Sequence, residues 1–129
     1  MVQKFDDKRS RPYRALQVWQ ILISKAANRQ IATYEELEEA LGYKGAGVFA
    51  QTLGHIMYYC DQNDLPPLTA LVVKKYKGIP GTGLTTPKDL DVQREEVFRY
   101  KWFRDIPPTP EELKNAYDRG EAHQTRGKK

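Results

Sequence analysis

Apolar side chains recur at Ala15, Val18, Trp19, Leu22, Ile23 and Ala26. That three-four spacing lays one oily stripe along an amphipathic helix. Pro12 suits its first turn, where a missing N–H is no loss, and "NRQ" ends it. "TYEELEEALG" is a compact second helix: Thr33 caps it, Glu36 completes a capping box, Tyr34, Leu37 and Leu41 point inward, and Gly42 stops it. A third helix is expected from Gly45 or Ala46. Val48, Phe49, Leu53, Ile56, Met57 and Cys60 share one of its faces, and Gln51, His55, Tyr58 and Gln62 share the other. After the breaker "NDLPPL", the branched run "LTALVVKK" reads as a strand and "YKGIPGTG" as a glycine-proline loop. A later helix begins near Pro87, with Leu90, Val97, Phe98, Trp102 and Phe103 apolar. A short helix capped by Thr109 and Glu112 follows.

Three helices, a strand and a glycine loop are the order of a winged helix-turn-helix. The expected fold is therefore mainly α (α+β), a winged helix-turn-helix with additional C-terminal helices. A single domain over 12–120 would lie between a flexible basic arm, 1–11, and a disordered tail, 121–129.

The 129 residues suit one domain with a modest core, and a 40% hydrophobic content argues against general disorder. No run of apolar residues approaches membrane-span length, and no apolar signal core follows the N-terminal charges. One cysteine makes no internal disulfide. A reducing cytoplasm is the expected location. Net charge is +4, and its placement is uneven. Residues 1–30 carry seven basic and two acidic side chains, "VVKKYKG" carries three lysines and no acid, while 33–42 and 87–122 lean acidic.

Catalytic patterns are weak. Cys60 has His55 five residues before it, but it falls on the apolar stripe, where a thiol is buried and inert. "GIPGTGLT" nearly spells a phosphate-binding loop, with Gly78, Gly83 and Thr85 in place. Leu84 stands where the lysine belongs, and no helix follows. His55 and His123 are far apart, and no metal-ligand spacing or Ser-His-Asp arrangement stands out. No catalytic residue, cofactor or metal is expected.

The winged helix-turn-helix order points instead to duplex DNA as the expected partner. Gln51, His55, Tyr58 and Gln62 would face a groove, where Gln and His can reach base edges. Lys44 and the Gly45 N–H at the helix start would meet a phosphate. Lys74, Lys75 and Lys77 would form wing contacts, and Arg9 and Arg11 would add grip from the arm.

The stretches "ATYEELEEALG", "VFAQTLGHI", "NDLPPLTALVV" and "KGIPGTG", within residues 31–83, resemble the winged-helix part of the alkylguanine-DNA alkyltransferases and alkyltransferase-like proteins. The resemblance covers somewhat under half of the chain and rests on short motifs. It implies DNA binding by the third helix, with Tyr34 matching a family tyrosine near a phosphate. The family's inserted arginine aligns with Gln51. Its Pro-Cys-His-Arg strand, or the Trp form of the non-enzymatic branch, aligns with "TALVVKK", so alkyl transfer does not carry over. A second expectation is a protein-interaction module, adaptor or inhibitor, because Tyr58, Tyr59, Tyr100, Trp102 and Phe103 exceed what a core of this size needs.

Overall fold

The structure, a computed structural model, describes residues 2–5, 10–42, 46–73 and 89–127, and of 46–48 and 124–127 the backbone alone. The described residues form a mainly helical fold. Its elements are α1 (Arg11–Ala27), β1 (Ala32–Thr33), α2 (Tyr34–Leu41), α3 (Ala46–Gln62), β2 (Val72–Val73), α4 (Leu90–Arg99) and α5 (Pro110–Gly127).

Local chemistry sets most boundaries. Thr33 Oγ1 accepts from the Glu36 N–H at 3.1 Å while Glu36 accepts from the Thr33 N–H at 2.9 Å, so the box at the start of α2 is closed in both directions. Thr109 and Glu112 repeat it at α5, at 3.1 and 2.9 Å. Gly42 ends α2 in the left-handed region at φ 79°. Past the ends of α1 and α3, Arg29 and Asp64 adopt φ of 54° and 55° without being glycine. In both places an N–H one residue further reaches back to the helix, Gln30 to Lys25 O and Leu65 to Cys60 O, each at 2.9 Å. These six-residue closures satisfy carbonyls that would otherwise end unpaired.

The six stripe residues of α1 are all buried, and α1 packs against α3, α5 and α2. Trp19 is the centre of an aromatic cluster. Its ring meets Tyr59 and Trp102 edge-on, both at 5.6 Å between centroids. Leu37 of α2, Phe49, Leu53 and Ile56 of α3, Val97 of α4 and Leu113 of α5 complete the core. β1 and β2 pair in parallel, Ala32 with Val72 and Thr33 with Val73. That pairing holds the end of β2 beside the start of α2.

Three sequence expectations change. "LTALVVKK" is not one strand: Leu68–Leu71 is a buried 3₁₀ turn, and pairing covers only Val72–Val73 among the described residues. The partner strand is two residues long, so it offers no ladder for Leu68–Leu71. Those backbone groups turn locally, with Ala70 N–H bonding Pro67 O at 2.9 Å. The tail is not disordered from 121, because α5 continues to Gly127. Glu121, Ala122 and Gln124 favour helix, and Gly120 sits inside the helix instead of ending it. Phe103, expected on an apolar face, is 68% exposed. The wing expected at 74–88 lies outside the described residues. No described helix is long and apolar enough to cross a membrane.

Leu22→Ala is expected to lower unfolding free energy by about 2–5 kcal/mol by leaving a cavity. Thr33→Ala is expected to lower it by only about 1 kcal/mol by opening the cap. Urea denaturation followed by circular dichroism measures both. A cap loss as large as the core loss would mean that α2 is held by its box rather than by Leu37 and Leu41.

Candidate interaction surfaces

The middle of the polar face of α3 meets α5, while Gln51 and Gln62 stay exposed. His55 is 3% exposed and stacks on Tyr117, with centroids 4.3 Å apart and planes 11° from parallel. Its Nδ1–H donates to Gln51 O at 2.8 Å, which places the proton of the neutral ring on Nδ1. Tyr58 meets Tyr117 edge-on at 5.9 Å and donates its hydroxyl to Glu121 at 2.8 Å. Gln62 Nε2 donates to Ala116 O at 2.9 Å. His55 is therefore buried against α5 and Tyr58 half-buried against it, whereas Gln62 remains exposed beside its one bond to α5. They can hydrogen-bond along one edge while packing an apolar body against a neighbouring helix. Of the four, Gln51 alone is an exposed side chain without a bond to α5.

The seam between α3 and α5 is close. A Cβ built at Gly54 would lie 3.2 Å from Tyr117 Cε1, and one built at Gly120 would fall within the Tyr58 ring. Leu113 and Ala116 extend α5 into the core, at 0% and 1% exposure. α5 is thus an integral wall of the fold. At the far end of the seam an open cleft of about 650 Å³ is walled by Tyr58, Asp61, Asn63, Arg119 and His123. Among the described residues no three His, Cys, Asp or Glu side chains come together as a metal site.

Cys60 is buried, as its place on the apolar stripe predicts. Burial pushes its thiol up to about 12, far from the thiolate that a nucleophile requires.

Tyr34 is half-buried and stacks on Phe49 at 5.5 Å. Burial raises its hydroxyl above the usual tyrosine range. Arg11, expected on the arm, is the exposed first residue of α1. Arg9, Lys44, Gly45, Lys74, Lys75 and Lys77 lie outside the described residues. Much of the cationic charge on the described surface is already engaged. Arg14 donates to Leu41 O at 2.8 Å and Arg94 to Ala70 O at 2.9 Å. Lys25 pairs with Glu36 and Lys114 with Asp118, both at 2.9 Å. Glu95 accepts from Arg29 and Arg99, both at 3.0 Å.

The turn between α4 and α5 differs from the rest of this surface. Trp102 is buried and its indole N–H donates to Val97 O at 2.8 Å. The Tyr100 hydroxyl donates to Asp105, and the box at Thr109 anchors the other side. Held between these anchors, Phe103 is 68% exposed and Ile106 is 91% exposed. Lys101 and Arg104 beside them are exposed and form no ion pair among the described residues. Of the five aromatics singled out in the sequence, Trp102 is core, and Tyr58, Tyr59 and Tyr100 are half-buried in ring contacts. Ile106 was missed because it follows no helical period. The flanking "RDIPP" was its available signal, since an apolar residue before prolines in a turn has no stripe to join.

Gly120→Ala is expected to destabilise by about 1–3 kcal/mol through overpacking against Tyr58. In the Tyr58→Ala background the same change should cost much less. Additive effects in that double-mutant cycle would show that the ring is not the obstacle.

A second expected outcome concerns pH. Burial holds His55 below its ordinary 6.5. Arg11 and Lys114 push the same way, while the Gln51 carbonyl and Asp118 oppose them. As pH falls below 6.5, the unfolded chain gains a proton that the native fold excludes, so stability should decline from about pH 7 towards pH 5. Carboxylates paired in the fold, Glu36 and Glu95, are held below 4.5 and titrate beneath that window. His55→Phe keeps a ring against Tyr117 and should flatten the profile. A wild-type profile already flat there would show that burial does not hold the imidazole neutral.

No family model, curated protein or solved structure matches the chain.

Proposed function

We propose that the chain is a non-catalytic protein-interaction module that makes contact through the turn from Lys101 to Ile106. The observation that carries this reading is the pair Phe103 and Ile106, turned to solvent from a turn anchored on both sides. Isolated exposed apolar residues are ordinary. An aromatic and a branched residue three positions apart, with cations alongside, make a compact contact point of the kind that dominates interfaces. The anchors remove the ordering cost that a loose loop would bring to binding. Burying both side chains would contribute about 1.5–3 kcal/mol each.

Phe103→Ala with Ile106→Ser should change stability by less than about 0.5 kcal/mol, because neither side chain supports the fold. The pair should abolish capture of protein partners by the immobilised chain in its native extract, read by quantitative mass spectrometry against wild type. Capture unaffected by the double change would overturn this reading.

A second reading, non-enzymatic DNA binding by an alkyltransferase-like winged helix, is favoured by the uneven charge of the chain. Basic residues gather in 1–30 and in "KKYKG". β2 hands the chain on at Val73, beside Thr33 and one position from Tyr34, and Gln51 is exposed. Contact on this reading is with phosphate, through Arg9, Arg11, Lys44 and the lysines at 74, 75 and 77. Base readout by His55 is not part of it, since that ring is buried under Tyr117. Lys75→Ala with Lys77→Ala should weaken binding to every duplex and flatten its salt dependence in a titration. Unchanged affinity at low salt would remove the wing from the account.

A further inference from the structure

We infer that the segment 106–110 is a preformed polyproline II ridge, and that its partner is a protein with a groove lined by aromatic side chains. This rests on the interaction-module reading and names the class of partner. The turn that carries Phe103 runs on through Asp105, Ile106, Pro107, Pro108, Thr109 and Pro110. Each proline fixes its own φ at about −65° and pushes the residue before it into extended backbone. Three prolines at these positions constrain every residue from 106 to 109. Asp105, just before them, already has φ −90° and ψ 141°. Residues 106–109 belong to no helix or strand, and no peptide bond among the described residues is cis. The regular conformation that satisfies these constraints is the left-handed polyproline helix, with roughly three residues per turn.

Exposure follows that period. Asp105 is tied to Tyr100 and Pro108, one turn on, is buried, so this edge lies against the body. Ile106 is 91% exposed, and Thr109, one turn after it, is exposed as well. Pro107 is exposed, and Pro110, where α5 begins, is half-buried. Two edges of the ridge therefore face solvent. They carry the steps Ile106-Pro107 and Thr109-Pro110, each a branched residue before a proline, about 9 Å apart. The capping bond from the Glu112 N–H to Thr109 Oγ1 pins the far end of the ridge to α5. No hydrogen bond among the described residues engages the backbone of Ile106 or Pro107, as suits a helix without internal bonds.

These features define the chemistry of the partner. Proline rings and branched side chains at this repeat fit between flat aromatic rings, which is how Pro-x-x-Pro segments are recognised. Pro107 and Pro110 have that spacing. The unengaged carbonyls of Ile106 and Pro107 can accept from tyrosine hydroxyls or indole N–H groups lining the groove. Because the ridge is ordered before contact, little conformational entropy is lost on binding. Phe103, 68% exposed on the adjoining turn, extends the apolar contact past the ridge. The surface is small, so the association is weak.

Titration of the isotope-labelled full chain with a panel of purified Src-homology-3 and WW domains, followed by NMR, tests the inference. These domains bind proline-rich segments through aromatic grooves. At least one should bind with a micromolar Kd and shift the resonances of residues 103–109. Pro107→Ala removes one ring and releases the backbone at 106, and should weaken that binding by roughly tenfold or more. Changing one groove aromatic of the domain to Ala should abolish it. Circular dichroism of Pro107→Ala should match wild type. If it does not, Ile106→Ser, which keeps all three prolines, takes its place. No shift with any domain at millimolar concentration overturns the inference, as does binding that Pro107→Ala and Ile106→Ser both leave intact. If no domain binds, yet Phe103→Ala with Ile106→Ser still abolishes capture from the native extract, the aromatic groove falls and the interaction-module reading stands. If that capture is also unaffected, both fall.

Discussion

The seating of α5 on α3 decides which surfaces this molecule can offer. Tyr117 lies flat on His55, and Gly54 leaves room for its edge. Tyr58 occupies the space that a side chain at Gly120 would need. Two glycines on opposite helices thus bring the backbones close enough for rings to fill the gap. With Leu113 and Ala116 buried on the same helix, lifting α5 away would open the core as well as the seam. The middle of α3 is consequently part of the interior, although its residues are polar by type.

The same seam explains where sequence pattern succeeds and where it stops. Every residue assigned to the α1 stripe is buried, because α1 lies across the other helices and a simple three-four period describes that arrangement. Capping boxes at Thr33 and Thr109 and the stop at Gly42 are equally legible, since they are local chemistry. α3 is different. It is covered on two sides, by α1 and by α5. Its second side is built from Gln, His and Tyr, which a polarity count assigns to water. The helix that covers it begins nearly fifty residues after it ends, and no local period carries that information. Cys60 was legible on its stripe, while Tyr58 two residues away was not.

Adjacent aromatics show a similar limit. Trp102 and Phe103 look interchangeable in composition, yet Trp102 enters the core beside Trp19 and Phe103 is turned outward. The 3₁₀ turn from Trp102 to Arg104 forces neighbouring side chains apart. Only one of the pair can reach Trp19, and the indole brings an N–H that finds Val97 O. Phe103 has no polar group to bond a buried carbonyl. The residue proposed to contact a partner is the one left over from that competition, and the mainly helical pattern gave no means of choosing between them.

Charge follows the same logic of what is used and what is left. A net +4 chain suggests a basic surface, but the fold directs arginines at carbonyls and carboxylates. Arg14 closes the C-terminal end of α2, where a cation also meets the negative end of the helix dipole. Arg94 ties α4 to the 3₁₀ turn at Ala70, and Arg29 ties the end of α1 to α4 through Glu95. These cations join elements to one another and are directed inward along the surface. The charges with no such task on the described surface include Lys101 and Arg104 on one element and Glu35 and Glu39 on another. Net charge is a property of the whole chain, but recognition depends on the charges that folding leaves unspent. Among the described residues those unspent charges are of both signs and sit on separate elements.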